Sequence, residues 1–156
     1  MINFIAAIDS KRGIANEKGI PWDLPSDRKY YREMTKGQAI LMGYGTYKEF
    51  DSAWSDRYNY VAARQDTLLK PGFNLVDNVD LFIENFEGNL WIVGGAKLFT
   101  STIKYADKLY LTQLDKDYKC TKFFPEFKND FKLVDESPQQ TENNINFTFQ
   151  TWGRVT

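Results

Sequence analysis

The chain has 156 residues, 42% of them apolar and 26% charged, a balance that fits one folded, soluble domain. Twenty Lys and Arg against 21 Asp and Glu leave a net charge of −1, so there is no excess of positive charge to neutralise a nucleic-acid backbone or hold an anionic membrane. With no His and one Cys, a Ser-His-Asp or Cys-His nucleophile, His-ligated zinc, multi-Cys metal clusters and an intrachain disulfide are all excluded, and acid–base chemistry falls to Asp, Glu, Lys or Tyr.

In chain order, Ile2 to Ile8 (INFIAAI) is a short β-branched run and predicts the first strand. Gly13 to Asp27 (GIANEKGIPWDLPSD) starts polar and Gly-rich, then sets Pro21 and Pro25 around Trp22 and Leu24; it predicts a mobile flap anchored at its far end. A helix is expected over Ser26 to Thr35, with Tyr30, Tyr31 and Met34 at helical spacing. Strands are then expected at Ala39 to Met42, Tyr58 to Ala63, Leu90 to Val93 and Leu109 to Leu114. Helices are expected at Thr46 to Phe50, Asp80 to Phe86 and Ala96 to Tyr105. This alternation predicts an α/β fold around a mostly parallel sheet. Phe131 to Glu136 and Asn146 to Trp152 alternate apolar and polar residues around the polar Ser137 to Asn144, which predicts an antiparallel hairpin at the sheet edge.

No repeat or linker divides the chain, so a single domain over residues 1–156 is expected. No secretory-signal pattern is present and no apolar run approaches about 18 residues, so the expected compartment is the cytoplasm. Cys120 lies in a polar stretch with no base beside it in sequence and reads as a bystander thiol.

Two strand ends are glycine-rich: Gly43-Tyr44-Gly45-Thr46 after AILM, and Gly94-Gly95-Ala96-Lys97 after LWIV. Glycine lets backbone approach a phosphate closely, and Lys97 adds a positive charge, so two such corners on one sheet suit a dinucleotide; either corner alone is more often a plain turn. Neither is a Walker loop or a three-glycine Rossmann turn. Asp27 shares a helical face with Tyr30, Tyr31 and Met34. It reads either as a wet first-turn carboxylate favoured by the helix dipole or as a partly buried carboxylate in an apolar cleft.

Taken together, IAAID at Ile5 to Asp9, IPWDLP at Ile20 to Pro25 with Asp27 following, MGYGTYKEF at Met42 to Phe50, Arg57 before YNYVAAR, IVGGAKLF at Ile92 to Phe99, KLYLTQL at Lys108 to Leu114 and FFPEF at Phe123 to Phe127 resemble dihydrofolate reductase of the bacterial and phage type. The similarity runs nearly end to end. It implies hydride transfer from NADPH to dihydrofolate with protonation of the neighbouring ring nitrogen, which supplies tetrahydrofolate to one-carbon metabolism and thymidylate synthesis.

The resemblance also implies roles residue by residue. Asp27 grips the pteridine, with Trp22 and Thr112 supporting its carboxylate and ordering water. Ile5, Ala6, Arg28, Tyr31, Phe50, Trp54 and Val93 line the substrate pocket, and Arg57 pairs with the α-carboxylate of the glutamate tail; by position alone Arg57 is a solvated strand-end arginine. Ala6, Ala7, Ile14, Ile20, Val93 and Phe99 surround the nicotinamide, with the flap around Ile20 closing over it. Gly43, Tyr44, Gly45, Thr46, Ala63, Arg64, Gly94, Gly95, Ala96, Lys97 and Leu98 hold the rest of the dinucleotide, with a cis peptide at Gly94-Gly95.

Several positions depart from the usual family pattern. Tyr44 and Gly45 stand where family members often carry an arginine and a basic or polar residue that help hold the 2′-phosphate, and Arg64 is expected to supply that charge. Ala15 stands for a flap glycine and is expected to stiffen it. Arg28 replaces an apolar contact and adds a partner for the glutamate tail. Trp54 and Asp56 replace a proline-rich turn before Arg57. A pyrimidine reductase of riboflavin synthesis and a catalytically silent binding subunit are the alternatives; the IPWDLP element with Arg57 argues against the first, and Asp27, Trp22, Arg57 and Thr112 together argue against the second. The partners implied are dihydrofolate and NADPH, with no nucleic acid, membrane or metal, acting on a monomer.

Overall fold

The computed structural model describes residues 1–155. Strand β1 (Ile2–Ile8) runs through the middle of the main sheet, flanked by β6 (Leu90–Ile92) and β7 (Lys108–Leu114), both parallel to it. Beyond β6 lie β3 (Ala39–Gly43), β4 (Tyr58–Ala62) and β5 (Phe73–Val76), again all parallel. On the other side β11 (Ile145–Arg154) pairs antiparallel with β7, and its outer edge carries β10 (Gln140–Glu142) at one end and β9 (Phe131–Glu136) at the other. The sheet is therefore mixed and mostly parallel. Its inner strands are mainly apolar because side chains on both faces are covered, as in β6, where every residue is buried.

The alternation within strands divides the core. Leu41 and Ile92 face a cluster with Phe4, Ile8, Leu98, Phe99 and Phe124. Ile40, Met42 and Trp91 face the opposite cluster with Ile5 and Val61, at whose margin Tyr31 and Phe50 pack. A third cluster gathers Trp22, Leu24, Leu114, Ile145 and Phe147 at the flap's end. Helices α1 (Pro25–Thr35), α2 (Tyr44–Tyr47), α3 (Val79–Asn85) and α4 (Ala96–Thr102) make the crossovers. Among the described residues no helix is long and apolar enough to cross a membrane.

Four expectations are corrected. β5 was not anticipated: FNLV is four residues long, half exposed and preceded by Pro71-Gly72, so it carries little apolar signal. The helix expected at Thr46 to Phe50 starts at Tyr44 and gives way after Tyr47 to a tight turn in which Glu49 and Phe50 N–H bond the carbonyls of Thr46 and Tyr47. The helix expected to reach Tyr105 ends at Thr102 and tightens into a 3₁₀ turn over Ile103–Tyr105. The polar connection of the C-terminal hairpin holds β10, joined to β11 by Asn143-Asn144, both at positive φ (52° and 62°), a two-residue turn suited to the twist of a hairpin.

The flap is tied at its near end as well as its far one. Strand β2 (Gly13–Ala15) pairs with β8 (Lys122–Phe123), and the buried Asp9 carboxylate accepts the N–H groups of Lys11 (2.9 Å), Gly13 (2.7 Å) and Tyr118 (2.9 Å).

Candidate active site

Asp27 sits in the first turn of α1, half-buried, and receives the hydroxyl hydrogen bond of Thr112 at 2.5 Å. Thr112 is 1% exposed on β7, so a central strand holds a helix-borne carboxylate from behind. Burial pushes the Asp27 carboxyl above its ordinary value of 3.8; Thr112 and Arg28 pull it down, and Glu142 pushes it up. Of the two readings of this residue, the partly buried one holds. Beside it Tyr30 stacks on Phe149 (4.3 Å), and burial, Tyr110 and Asp27 together push its phenol up to about 12.

Along the same face, Ile5 is 5% exposed and lies in one cluster with the half-buried Tyr31 and Phe50. Trp54 touches both of those rings, at 5.4 Å from Tyr31 and 5.7 Å from Phe50. Its loop is shaped by buried Asn59, whose amide donates to the carbonyls of Trp54 (2.9 Å) and Arg57 (3.1 Å). The Arg57 guanidinium lies 4.2 Å over the Trp54 ring. It is not a solvated strand-end arginine: its side chain is 4% exposed and donates to Thr35 Oγ1 (2.9 Å), Asp56 Oδ1 (2.5 Å) and the carbonyl of Arg32.

The two glycine corners meet. Gly43 N–H donates to Gly94 C=O at 2.7 Å, the Gly94-Gly95 peptide is cis, and the Thr46 hydroxyl lies beside both glycines. At Gly45 a side chain would meet nothing within 4 Å, so backbone is bare there. Lys97 is exposed on α4, Arg64 is exposed after β4, and Lys48 lies 5.5 Å over the half-open Tyr44 ring. This puts a half-buried carboxylate and a cluster of aromatic rings on one face of the sheet, and a bare, cation-rimmed backbone corner at the ends of β3 and β6.

A family model described as dihydrofolate reductase matches residues 1–154. The chain belongs to the dihydrofolate reductase family. It is 32% identical over 149 residues to a dihydrofolate reductase of Bacillus subtilis (strain 168), covering 94% of this chain and 88% of the relative. It is 27% identical over 160 residues to a dihydrofolate reductase of Staphylococcus haemolyticus, covering 99% and 96%. A solved dihydrofolate reductase from Enterococcus faecalis, complexed with NADP(H) and RAB-propyl, has the same fold, with a TM-score of 0.90 at 24% identity over 100% of this chain and 97% of that one.

Set against what membership in the dihydrofolate reductase family implies, the expected residues fall into groups. Asp27, Thr112, Ile5, Tyr31, Phe50, Trp54 and Arg57 come together on one face of the sheet or its adjoining loops. Trp22 is buried and packs on Tyr118 at 5.3 Å. Arg28 leaves that group, since it forms an exposed ion pair with Asp23 at 2.6 Å. On the cofactor side, Ala6 and Ile14 pack against the Phe4 cluster, Ala7 against the Trp22 cluster, and Val93 and Ala63 against the Ile5 cluster. Leu98 and Phe99 are buried, with Phe99 5.2 Å from Phe4 and 5.0 Å from Phe124, so they back the corner from within the core. Ala96 opens α4 and Ile20 is 66% exposed on the flap. Cys120 lies against Asp9 and Gly13, and burial with the Asp9 charge pushes its thiol up to about 11, which suits an inert role. Sequence reading did not single out Lys48 or Glu142. Lys48 carries a faint signal, four residues after Tyr44; Glu142 reaches α1 from the far end of the chain and carries none.

Proposed function

We propose that this protein reduces 7,8-dihydrofolate to 5,6,7,8-tetrahydrofolate with NADPH as reductant. The observation that carries this is the Asp27 carboxylate, half-buried on the sheet face that bears Ile5, Tyr31 and Phe50 and hydrogen-bonded by a buried strand threonine. A carboxylate so placed pairs with the amino group and ring N–H of a pteridine and raises the basicity of the ring atom that takes the proton. Thr112 fixes its orientation. Tyr31, Phe50 and Trp54 offer aromatic faces for the benzoyl ring, and Arg57 offers its remaining N–H groups to the glutamate carboxylate.

The dinucleotide fits the corner at Gly43, Gly45, Gly94 and Gly95, where bare backbone and the Thr46 hydroxyl admit a pyrophosphate. When bound, NADPH supplies the hydride. Arg64, exposed and in no ion pair among the described residues, is the cation assigned to the 2′-phosphate, with Lys48 beside Tyr44 as a second positive charge at that rim. The protein acts as a monomer in the cytoplasm.

The test follows loss of NADPH absorbance with dihydrofolate, with the deaminated pyrimidine intermediate of riboflavin synthesis, and with neither. Oxidation with dihydrofolate alone is expected. Oxidation only with the pyrimidine, or with no substrate tried, overturns the reading.

A further inference from the structure

Helix α1 opens without a cap of its own. Its N-cap position is Leu24, which has no side-chain acceptor, and Pro25 heads the first turn with no N–H to satisfy. The N–H groups of Asp27 and Arg28 both bond the Leu24 carbonyl, at 3.0 and 3.1 Å. Ser26 N–H is the donor of that turn left over. It is taken from 116 residues away: Glu142 Oε1 accepts Ser26 N–H at 3.0 Å, and Glu142 Oε2 accepts the Ser26 hydroxyl at 2.6 Å. The next residue is Asp27.

Glu142 is itself held firmly. It pairs with Ile145 across the Asn143-Asn144 turn, and Ile145 is buried with Trp22 and Leu24 beneath the start of α1. A carboxylate at a helix N-terminus also meets the favourable end of the helix dipole.

We propose that Glu142 is a positioning residue for the reduction, an N-cap lent by the C-terminal hairpin that fixes the turn from which Asp27 projects. This rests on the reading of Asp27 as the carboxylate that grips the substrate. The same negative charge opposes ionisation of Asp27, as burial does, while the Thr112 hydroxyl on β7 and Arg28 on α1, itself paired with Asp23, favour it. Tyr30 on α1 stands beside the carboxylate, with Tyr110 on β7 and Asp135 on β9 around that phenol. Position and charge are therefore separable by substitution.

The experiment compares Glu142→Ala, Glu142→Gln and Ser26→Ala in the full chain. Removing both hydrogen bonds in Glu142→Ala should lower kcat/KM for dihydrofolate at pH 7 by about threefold to thirtyfold, with the KM for NADPH within about twofold of wild type. Glu142→Gln keeps an acceptor for Ser26 N–H and should restore most of the rate. Both variants lose the charge and should move the acidic limb of the pH profile to lower pH. Ser26→Ala, which loses one arm of the pair, should fall between. Amide exchange at Ser26, read by NMR without ligands, should speed up in Glu142→Ala and not in Glu142→Gln.

Wild-type kcat/KM in Glu142→Ala overturns the proposal, as does a Glu142→Gln variant just as slow, or a parallel rise in the KM for NADPH. If Glu142→Ala does not fold, wild-type rates in Ser26→Ala together with an unmoved pH profile in Glu142→Gln overturn it. A wild-type protein that does not turn over dihydrofolate defeats the reading of the site instead, and exchange at Ser26 then decides whether Glu142 caps the helix.

Discussion

Asp27 carries a charge where burial disfavours one, and that cost has a readable consequence for stability. Because burial raises its pKa above 3.8, the folded state binds this proton more tightly than the unfolded chain. The stability so gained is complete below pH 3.8 and is lost as pH rises through the folded value. Asp27→Asn keeps the shape and removes the titration, so its melting temperature should exceed that of wild type at pH 7 and the two should converge near pH 3. Its kcat/KM for dihydrofolate at pH 7 should fall about 10²-fold or more and recover partly at low pH, where the substrate arrives protonated. Equal turnover at pH 7 would remove Asp27 from the chemistry. Beyond the role proposed for it, Arg57 serves the fold: its buried guanidinium joins α1, through Thr35 and the Arg32 carbonyl, to the loop before β4. Arg57→Ala should therefore cost roughly 2–4 kcal/mol in urea unfolding. It should also raise the KM for dihydrofolate more than for a pterin lacking the glutamate tail. Asp27 was legible in the sequence because its helical spacing to Tyr30, Tyr31 and Met34 is local. Thr35 and the Arg32 carbonyl, which hold Arg57, were not, because they lie 22 and 25 residues away and only packing brings them together.

Elements were legible where a single force dominates. β1 and β3 are largely buried on both faces, and their apolar runs, broken by Asn3 in β1, mark them in any reading of the chain. β2, β8 and β5 depend on pairing partners rather than on composition: Lys122–Phe123 is exposed throughout and is a strand only because β2 lies against it. Helix starts divide in the same way. α3 has a local cap, Asn78, whose side chain accepts Leu81 N–H at 3.1 Å, and Asn78→Ala should cost about 1 kcal/mol with no effect on KM for either substrate. α1 has none and borrows Glu142. α3 is thus capped by its neighbour in sequence, while α1, which bears Asp27, is capped by the hairpin from the end of the chain.

Across the whole molecule, one line of aromatic rings ties the early strands to the last. Phe4 on β1 meets Phe99 at 5.2 Å and Phe124 at 6.1 Å, Phe124 meets Phe127 at 5.8 Å, and Phe127 meets Trp152 on β11 at 4.9 Å. Phe124 is the junction. It is fully buried, and its backbone exchanges bonds with Arg12 at the base of the flap: Phe124 N–H donates to the Arg12 carbonyl at 2.7 Å, and Arg12 Nη1 donates to the Phe124 carbonyl at 2.6 Å. The FFPEF motif therefore supports the sheet, the back of the Gly94-Gly95 corner through Phe99, and the flap's anchor at once. Phe124→Ala empties a site with rings on several sides and should cost about 3–5 kcal/mol, while Phe124→Leu, which refills most of the volume, should cost clearly less. Because the ring backs the Gly94-Gly95 corner and Asp27 lies on the opposite face of the sheet, the functional effect on the proposed sites should be one-sided. Phe124→Leu should raise the Kd for NADPH, measured by fluorescence titration, and leave the Kd for a folate-type ligand near wild type; equal weakening of both would mean that Phe124 holds up the molecule without favouring either face.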